Sequence, residues 1–148
     1  MTAPGAAATS ELRLALRNDI ATLGAAQAQL AEWLEGRVPD ARERHRIELA
    51  FEELAMNIVM HAHPEAEQGA HDIAAAVALA PGMATLSIED DGMPFDPRGK
   101  AGERLGGALE DVKIGGLGLL LVQQLAAFMD HERTPAGRNL TRVGIALT

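Results

Sequence analysis

Residues 52–61 read Glu-Glu-Leu-Ala-Met-Asn-Ile-Val-Met-His, and within them Glu53, Asn57 and His61 recur at every fourth position. On an α-helix that spacing sets three polar side chains along one stripe. The stripe runs beside apolar residues, because Ile47, Phe51, Leu54 and Ile58 also recur at helical spacing. A carboxylate so placed can orient or deprotonate a nucleophile. An asparagine oxygen is a hard neutral ligand of the kind Mg²⁺ accepts alongside water and phosphate. Alone, the same spacing equally describes a solvated helix face.

Upstream of this helix, Leu12, Leu14 and Leu16 alternate with Arg13 and Arg17, which predicts a half-buried strand over 11–17. Asn18 or Asp19 then suits the N-cap of a helix carrying Ile20, Leu23, Leu30, Trp33 and Leu34 and ending near Gly36. Pro39 and Asp40 open the next helix, with Pro39 in its first turn, and it continues to about His61. Residues 64–69 break it. Strands over 72–79 and 83–89 follow, joined by Pro81-Gly82 as a hairpin turn. A third apolar helix is expected over 117–129, and 132–147 reads as a closing hairpin around Ala136-Gly137. Residues 1–9 offer nothing to pack and read as a flexible arm, leaving 10–148 as one domain. The order β-α-α-β-β-α-β-β implies an α+β fold, one sheet covered by helices on one face.

Two further segments stand out. Ile88-Glu89-Asp90-Asp91-Gly92-Met93-Pro94-Phe95-Asp96-Pro97 follows a strand directly. Asp90 at the strand end can accept from an exocyclic amine, while Gly92 lets the backbone approach a flat ring; the same residues also form turns. The other segment, Gly115-Gly116-Leu117-Gly118-Leu119, opens a helix, where bare amides and the positive helix end favour phosphate. A hinge or a tight packing turn would use the same glycines. No Gly-Lys-Ser/Thr follows, so this is not a Walker A loop, and no parallel βαβ unit makes it a dinucleotide fingerprint. Between the two segments lie some twenty Gly-rich, charged residues, the composition of a functional loop or lid.

Composition narrows the classes. With no cysteine, disulfide scaffolds, thiolate nucleophiles and Cys-based zinc sites are excluded, and a reducing, cytoplasmic setting is expected. The net charge of −8 argues against nucleic acid as a direct partner. No apolar run approaches the roughly 20 residues of a membrane span, and the first ten residues lack the pattern of a signal peptide.

Taken in order, the three segments resemble the N box and the two glycine boxes of the GHKL ATPases, the superfamily of gyrase, Hsp90, histidine kinases and MutL. Within it, Glu-x-x-x-Asn-x-x-x-His, then Asp-Asp-Gly-x-Pro-Phe-Asp-Pro, then Gly-Gly-Leu-Gly-Leu most resembles the anti-sigma regulatory serine kinases of partner-switching systems. The resemblance implies a two-layer α/β sandwich of the Bergerat type, its sheet mixed but mainly antiparallel. It implies ATP and Mg²⁺ as cofactors. It also implies phosphorylation of a STAS-domain anti-sigma antagonist on serine, a sigma factor as a second partner, and a homodimer.

By the same resemblance Glu53 matches the general base, Asn57 the Mg²⁺ ligand, and His61 a position beside the phosphates. Asp90 matches the reader of the adenine amine and Gly92 the glycine beneath the ring. Gly116, Leu117 and Gly118 match the second glycine box at the phosphates. Residues 97–114 match the ATP lid, with Arg98, Lys100 and Arg104 as phosphate contacts. Asn139 and Thr141 fall where the closing strands begin, with Thr141 reaching the nucleotide through water. Pro94 stands where the first glycine box often has its second glycine, and Glu52 leaves a second carboxylate beside the base; the four-residue spacing to Asn57 selects Glu53. A histidine kinase would need an upstream helical hairpin with a phosphoacceptor histidine, and gyrase-like or Hsp90-like enzymes a transducer domain. The alternative from another class is a binding module in which ATP only shapes the surface that holds a partner.

Overall fold

A computed structural model describes residues 10–61, 69–98 and 117–148. The N-terminal arm, Lys100, Arg104, Gly115, Gly116 and all but the first two residues of the expected lid lie outside the described residues, as does the side chain of His61.

Strand β1 (Ser10–Arg17) leads to helices α1 (Ile20–Glu35) and α2 (Ala41–His61). Strands β2 (Asp72–Ala80) and β3 (Met83–Asp90) come next, then helix α3 (Leu117–Leu125) and strands β4 (Phe128–Arg133) and β5 (Asn139–Ala146). The five strands form one sheet in the order β1-β2-β3-β5-β4. Every described pairing is antiparallel, so the mainly antiparallel sheet expected above proves antiparallel throughout these pairs.

Local chemistry accounts for most boundaries. Asp19, not Asn18, caps α1: its Oδ1 accepts from Thr22 N at 2.7 Å and Thr22 Oγ1 at 2.8 Å. Those bonds, the backbone one foremost, hold its carboxyl below the usual aspartate range. Asn18 instead ties the strand ends together, its Oδ1 accepting from His71 N at 2.9 Å. Asp40 Oδ1 accepts from Arg42 N at 2.8 Å, which makes Asp40 the start signal of α2 and leaves Pro39 just outside the first turn. Ala80 pairs with Met83 across Pro81-Gly82, where Gly82 takes φ +81°, as a type II turn requires.

Two expectations need correction. Ile20 is 51% exposed and does not join the core face of α1. The third helix stops at Leu125 instead of Met129, and Phe128 and Met129 begin β4. Ala127 N turns to Gly144 O at 2.7 Å, and the Phe128 ring lies where a Cβ on Gly144 would stand. A cross-strand fit therefore overrides an apolar run that alone reads as helix.

The core lies between one sheet face and the helices. Leu14, Leu16, Ile73, Val77, Leu86, Ile88, Val143 and Ile145 point inward from the strands. Leu23, Leu30, Leu34, Ile47, Phe51, Leu54, Leu119 and Val122 meet them from the helices. Phe51 has no exposed surface, so Phe51→Ala should cost about 3–5 kcal/mol in urea unfolding; a loss under about 1 kcal/mol would contradict this packing.

Candidate functional site

The polar stripe of α2 sits at the margin of this core. Phe51, Leu54, Ala55 and Ile58 are buried, Glu53 and Asn57 are half-buried, and Glu52 is exposed. The helix is therefore not a solvated face: it packs on α3, β3 and β5. Burial pushes the Glu53 carboxyl above the usual glutamate range, and the neighbouring Glu52 charge adds to the shift. A carboxylate raised toward neutrality is better matched to taking a proton than one at its ordinary value.

Gly118, in the first turn of α3, lies against this carboxylate. A Cβ built there would stand 2.8 Å from Glu53 Cδ and would collide with Oε1. Only glycine admits the side chain so close to the helix start, which explains this member of the second glycine segment. Leu117 beside it is 54% exposed, its side chain turned outward.

A second group occupies the inner face of the sheet. Asp90 ends β3 and pairs across the ladder with Asn139, while Thr141 faces Ile88 two residues further along β5. Asp90, Asn139 and Thr141 are 3%, 4% and 5% exposed, a buried polar row on an otherwise apolar face. Buried polar groups persist where they are satisfied, and here a network does it. Asp90 Oδ2 accepts from Gly92 N at 2.8 Å and from Asn139 Nδ2 at 3.2 Å. Asn139 Nδ2 also donates to Met93 O at 2.9 Å, and its Oδ1 accepts from Phe95 N at 3.2 Å. Arg133 Nη1 donates to Gly92 O at 2.8 Å. The hydroxyl of Thr141 lies 3.2 Å from His131 Nδ1.

The loop leaving this row ends in a helix start. Asp96 Oδ1 accepts from Arg98 N at 3.0 Å, and Pro97 takes the first helical position, so the Phe-Asp-Pro turn is a capped helix entry. Arg98, expected at a phosphate, grips Asp96 here through Nε at 3.0 Å and Nη2 at 2.7 Å. This fork lowers the Asp96 pKa and raises that of Arg98. Gln123 of α3 donates to the Arg98 carbonyl at 3.0 Å, joining the loop to the helix that carries Gly118.

The structure thus brings Glu53 to Gly118 and Asp90 to Gly92 and the Thr141 row. His131 and Arg133 were missed in the sequence, since only strand register reveals which β4 residues face the row. Among the described residues no three His, Asp or Glu side chains converge as a metal cage. Asn57 is half-buried on the same stripe, and a lone amide oxygen is a donor of the kind Mg²⁺ accepts, since that ion draws most of its shell from phosphate and water. A concavity between Arg13 and Glu89, floored by Ala74, Ala76 and Ser87, opens on the bare sheet face, away from this row.

A two-layer fold with a half-buried Glu-x-x-x-Asn stripe, a buried strand-end aspartate and a helix with glycine in its first turn defines a GHKL-type nucleotide-binding domain. The chain belongs to the histidine kinase-like ATPase domain family, whose model matches residues 16–143. No match was found among curated protein sequences. Among solved structures it is similar to a chain of the SiaB–SiaC complex from Pseudomonas aeruginosa, with TM-score 0.63 and 13% identity over 95% of this chain and 91% of that one. It is also similar to the RsbU and RsbW domains of Rv1364c from Mycobacterium tuberculosis, with TM-score 0.61 and 21% identity over 94% of this chain and 32% of the longer one. At these identities the likeness is one of fold. No described helix is long and apolar enough to cross a membrane.

Proposed function

We propose that residues 10–148 form a single Mg²⁺-dependent protein serine kinase domain that phosphorylates a STAS-domain antagonist and holds that antagonist or a sigma factor as its partner. The observation that carries the kinase reading is Glu53, a half-buried carboxylate with a raised pKa, pressed against the glycine in the first turn of α3. A module that only sequesters a partner has no use for a base there.

In this reading the adenine amine donates to Asp90, the ring lies over Gly92, and Thr141 reaches the base through water. The phosphates meet the amides of Gly116, Leu117 and Gly118, with His61 and Lys100 beside them. Arg98 joins them after leaving Asp96. Mg²⁺, held by Asn57, would supply charge neutralisation on the β- and γ-phosphates. Glu53 takes the proton from the serine hydroxyl as its oxygen bonds to the γ-phosphorus. The bond from that phosphorus to the bridging oxygen breaks, and ADP leaves with the electron pair. Little else is required of the protein, because phosphoryl transfer depends mainly on position and charge.

The test is incubation with Mg²⁺, γ-labelled ATP and each STAS-domain protein of the same genome. Label on a serine is expected; ATP binding without label on any of them would overturn the kinase reading in favour of a binding module. Gly118→Ala offers a finer check, because its methyl displaces the Glu53 carboxylate. Transfer should slow about 100-fold, the scale set by a misplacement near 1 Å. A rate unchanged in Gly118→Ala would contradict the placing of the base.

A further inference from the structure

Asn139 is bonded beyond what a strand residue needs. Its amide spans Asp90 Oδ2, the Gly92 and Met93 carbonyls, and the Phe95 amide, all from a side chain 4% exposed. We infer that Asn139 is a positioning residue that makes the nucleotide pocket selective for a 6-aminopurine over a 6-oxopurine, an inference that rests on the reading of Asp90 as the base contact.

Asp90 has two oxygens with different fates. Oδ2 takes two donors, Gly92 N and Asn139 Nδ2, while Oδ1 takes none among the described residues. Bonds to one oxygen fix the rotation of the whole carboxylate, so the lone pairs of Oδ1 point in one direction inside a dry site. A fixed anionic acceptor welcomes the amino group of adenine. The carbonyl that guanine presents at the same position sets acceptor against acceptor, a mismatch that a buried site cannot soften with water. A carboxylate free to rotate would turn aside and tolerate either base. Asn139 removes that freedom, and it can do so because the β3–β5 register sets it directly opposite Asp90.

Arg133 supplies the control. It holds the same loop through Gly92 O at 2.8 Å, and its bond is to that carbonyl, not to the Asp90 carboxylate. A residue that merely steadies the loop should move the affinities of all nucleotides together. One that aims Asp90 should move their ratio.

The experiment titrates the full chain with ATP and with GTP in unsubstituted, Asn139→Ala, Asn139→Ser and Arg133→Ala forms, with folding checked by circular dichroism. The unsubstituted chain should prefer ATP. In Asn139→Ala the ATP-to-GTP ratio should shrink about tenfold, the loss expected for one hydrogen bond to a charged group. Asn139→Ser, too short to span Asp90 and the loop together, should do the same, so the ratio can be read if the alanine variant does not fold. Arg133→Ala should weaken both nucleotides by a similar factor and leave the ratio intact. In the unsubstituted chain the Asn139 side-chain amide signal should shift with ATP and stay put with GTP, a readout independent of any variant. An unchanged ratio in a folded Asn139 variant, or an amide signal indifferent to saturating ATP, overturns the role of Asn139. Failure of the unsubstituted chain to bind ATP at all overturns instead the reading of Asp90.

Discussion

Glu53→Gln should lower the rate of phosphoryl transfer to a serine acceptor by about 10²–10⁴-fold, the range for loss of a general base. Nucleotide affinity should hold, since the substitution keeps the shape of the side chain beside Gly118 and removes only its charge. Burial and then the Glu52 charge raise the Glu53 pKa, so the ionised, proton-accepting form takes over at a higher pH than it does in an ordinary glutamate. The transfer rate should therefore climb with pH through that raised value. The linkage to stability has the opposite sense. A raised carboxyl pKa means the folded chain binds the proton more tightly than the unfolded one, so stability falls as pH rises from the unfolded value through the folded value. Glu53→Gln escapes that loss, and at neutral pH it should melt no lower than the parent and slightly higher. A variant that loses activity and melts several degrees lower would mark Glu53 as a structural group. The side chain is only partly buried, which keeps the stability effect small.

Asp90→Ala should weaken ATP binding about 100-fold or more. It removes the anionic acceptor at a site 3% exposed; it also strands Gly92 N and leaves Asn139 Nδ2 with only the loop carbonyls as acceptors. A hydrogen bond to a charged group counts for about 1.5–3 kcal/mol, the adenine amine left without its acceptor adds its own desolvation cost, and a factor of ten needs only about 1.4 kcal/mol. The loop from Gly92 to Phe95 should loosen as well, because Asn139 holds it and leans on Asp90 in turn. Calorimetric titration against ATP checks the expectation. A change under about threefold, with the fold intact, would remove Asp90 from the pocket.

What the sequence disclosed and what it hid follow from range. The Glu53–Asn57 stripe is legible because helical spacing is local, and α2 runs to His61 as its apolar period requires. Asp90 is legible because a strand ends where Asp-Asp-Gly begins. The clamp around Asp90 is not, since it depends on the pairing of β3 with β5, some fifty residues apart, and no local pattern reports that register. For the same reason His131 and Arg133 escaped notice, and the end of α3 was set too late: Gly144, far along the chain, makes the room that draws Phe128 into a strand. Arg98 shows a different limit. The resemblance sets it beside phosphate, while its guanidinium here forks onto Asp96, two residues away, a contact that the lid match does not announce.

These features converge on one claim: the space between α2, α3 and the inner end of β3 is an adenine-nucleotide site. A crystal structure of the chain with Mg²⁺ and a non-hydrolysable ATP analogue tests it most directly. The adenine amino group is expected within about 3 Å of Asp90 Oδ1, and the terminal phosphate at the start of α3 beside Glu53 and Gly118. A nucleotide bound on the bare sheet face between Arg13 and Glu89, or with its base turned away from Asp90, would contradict it.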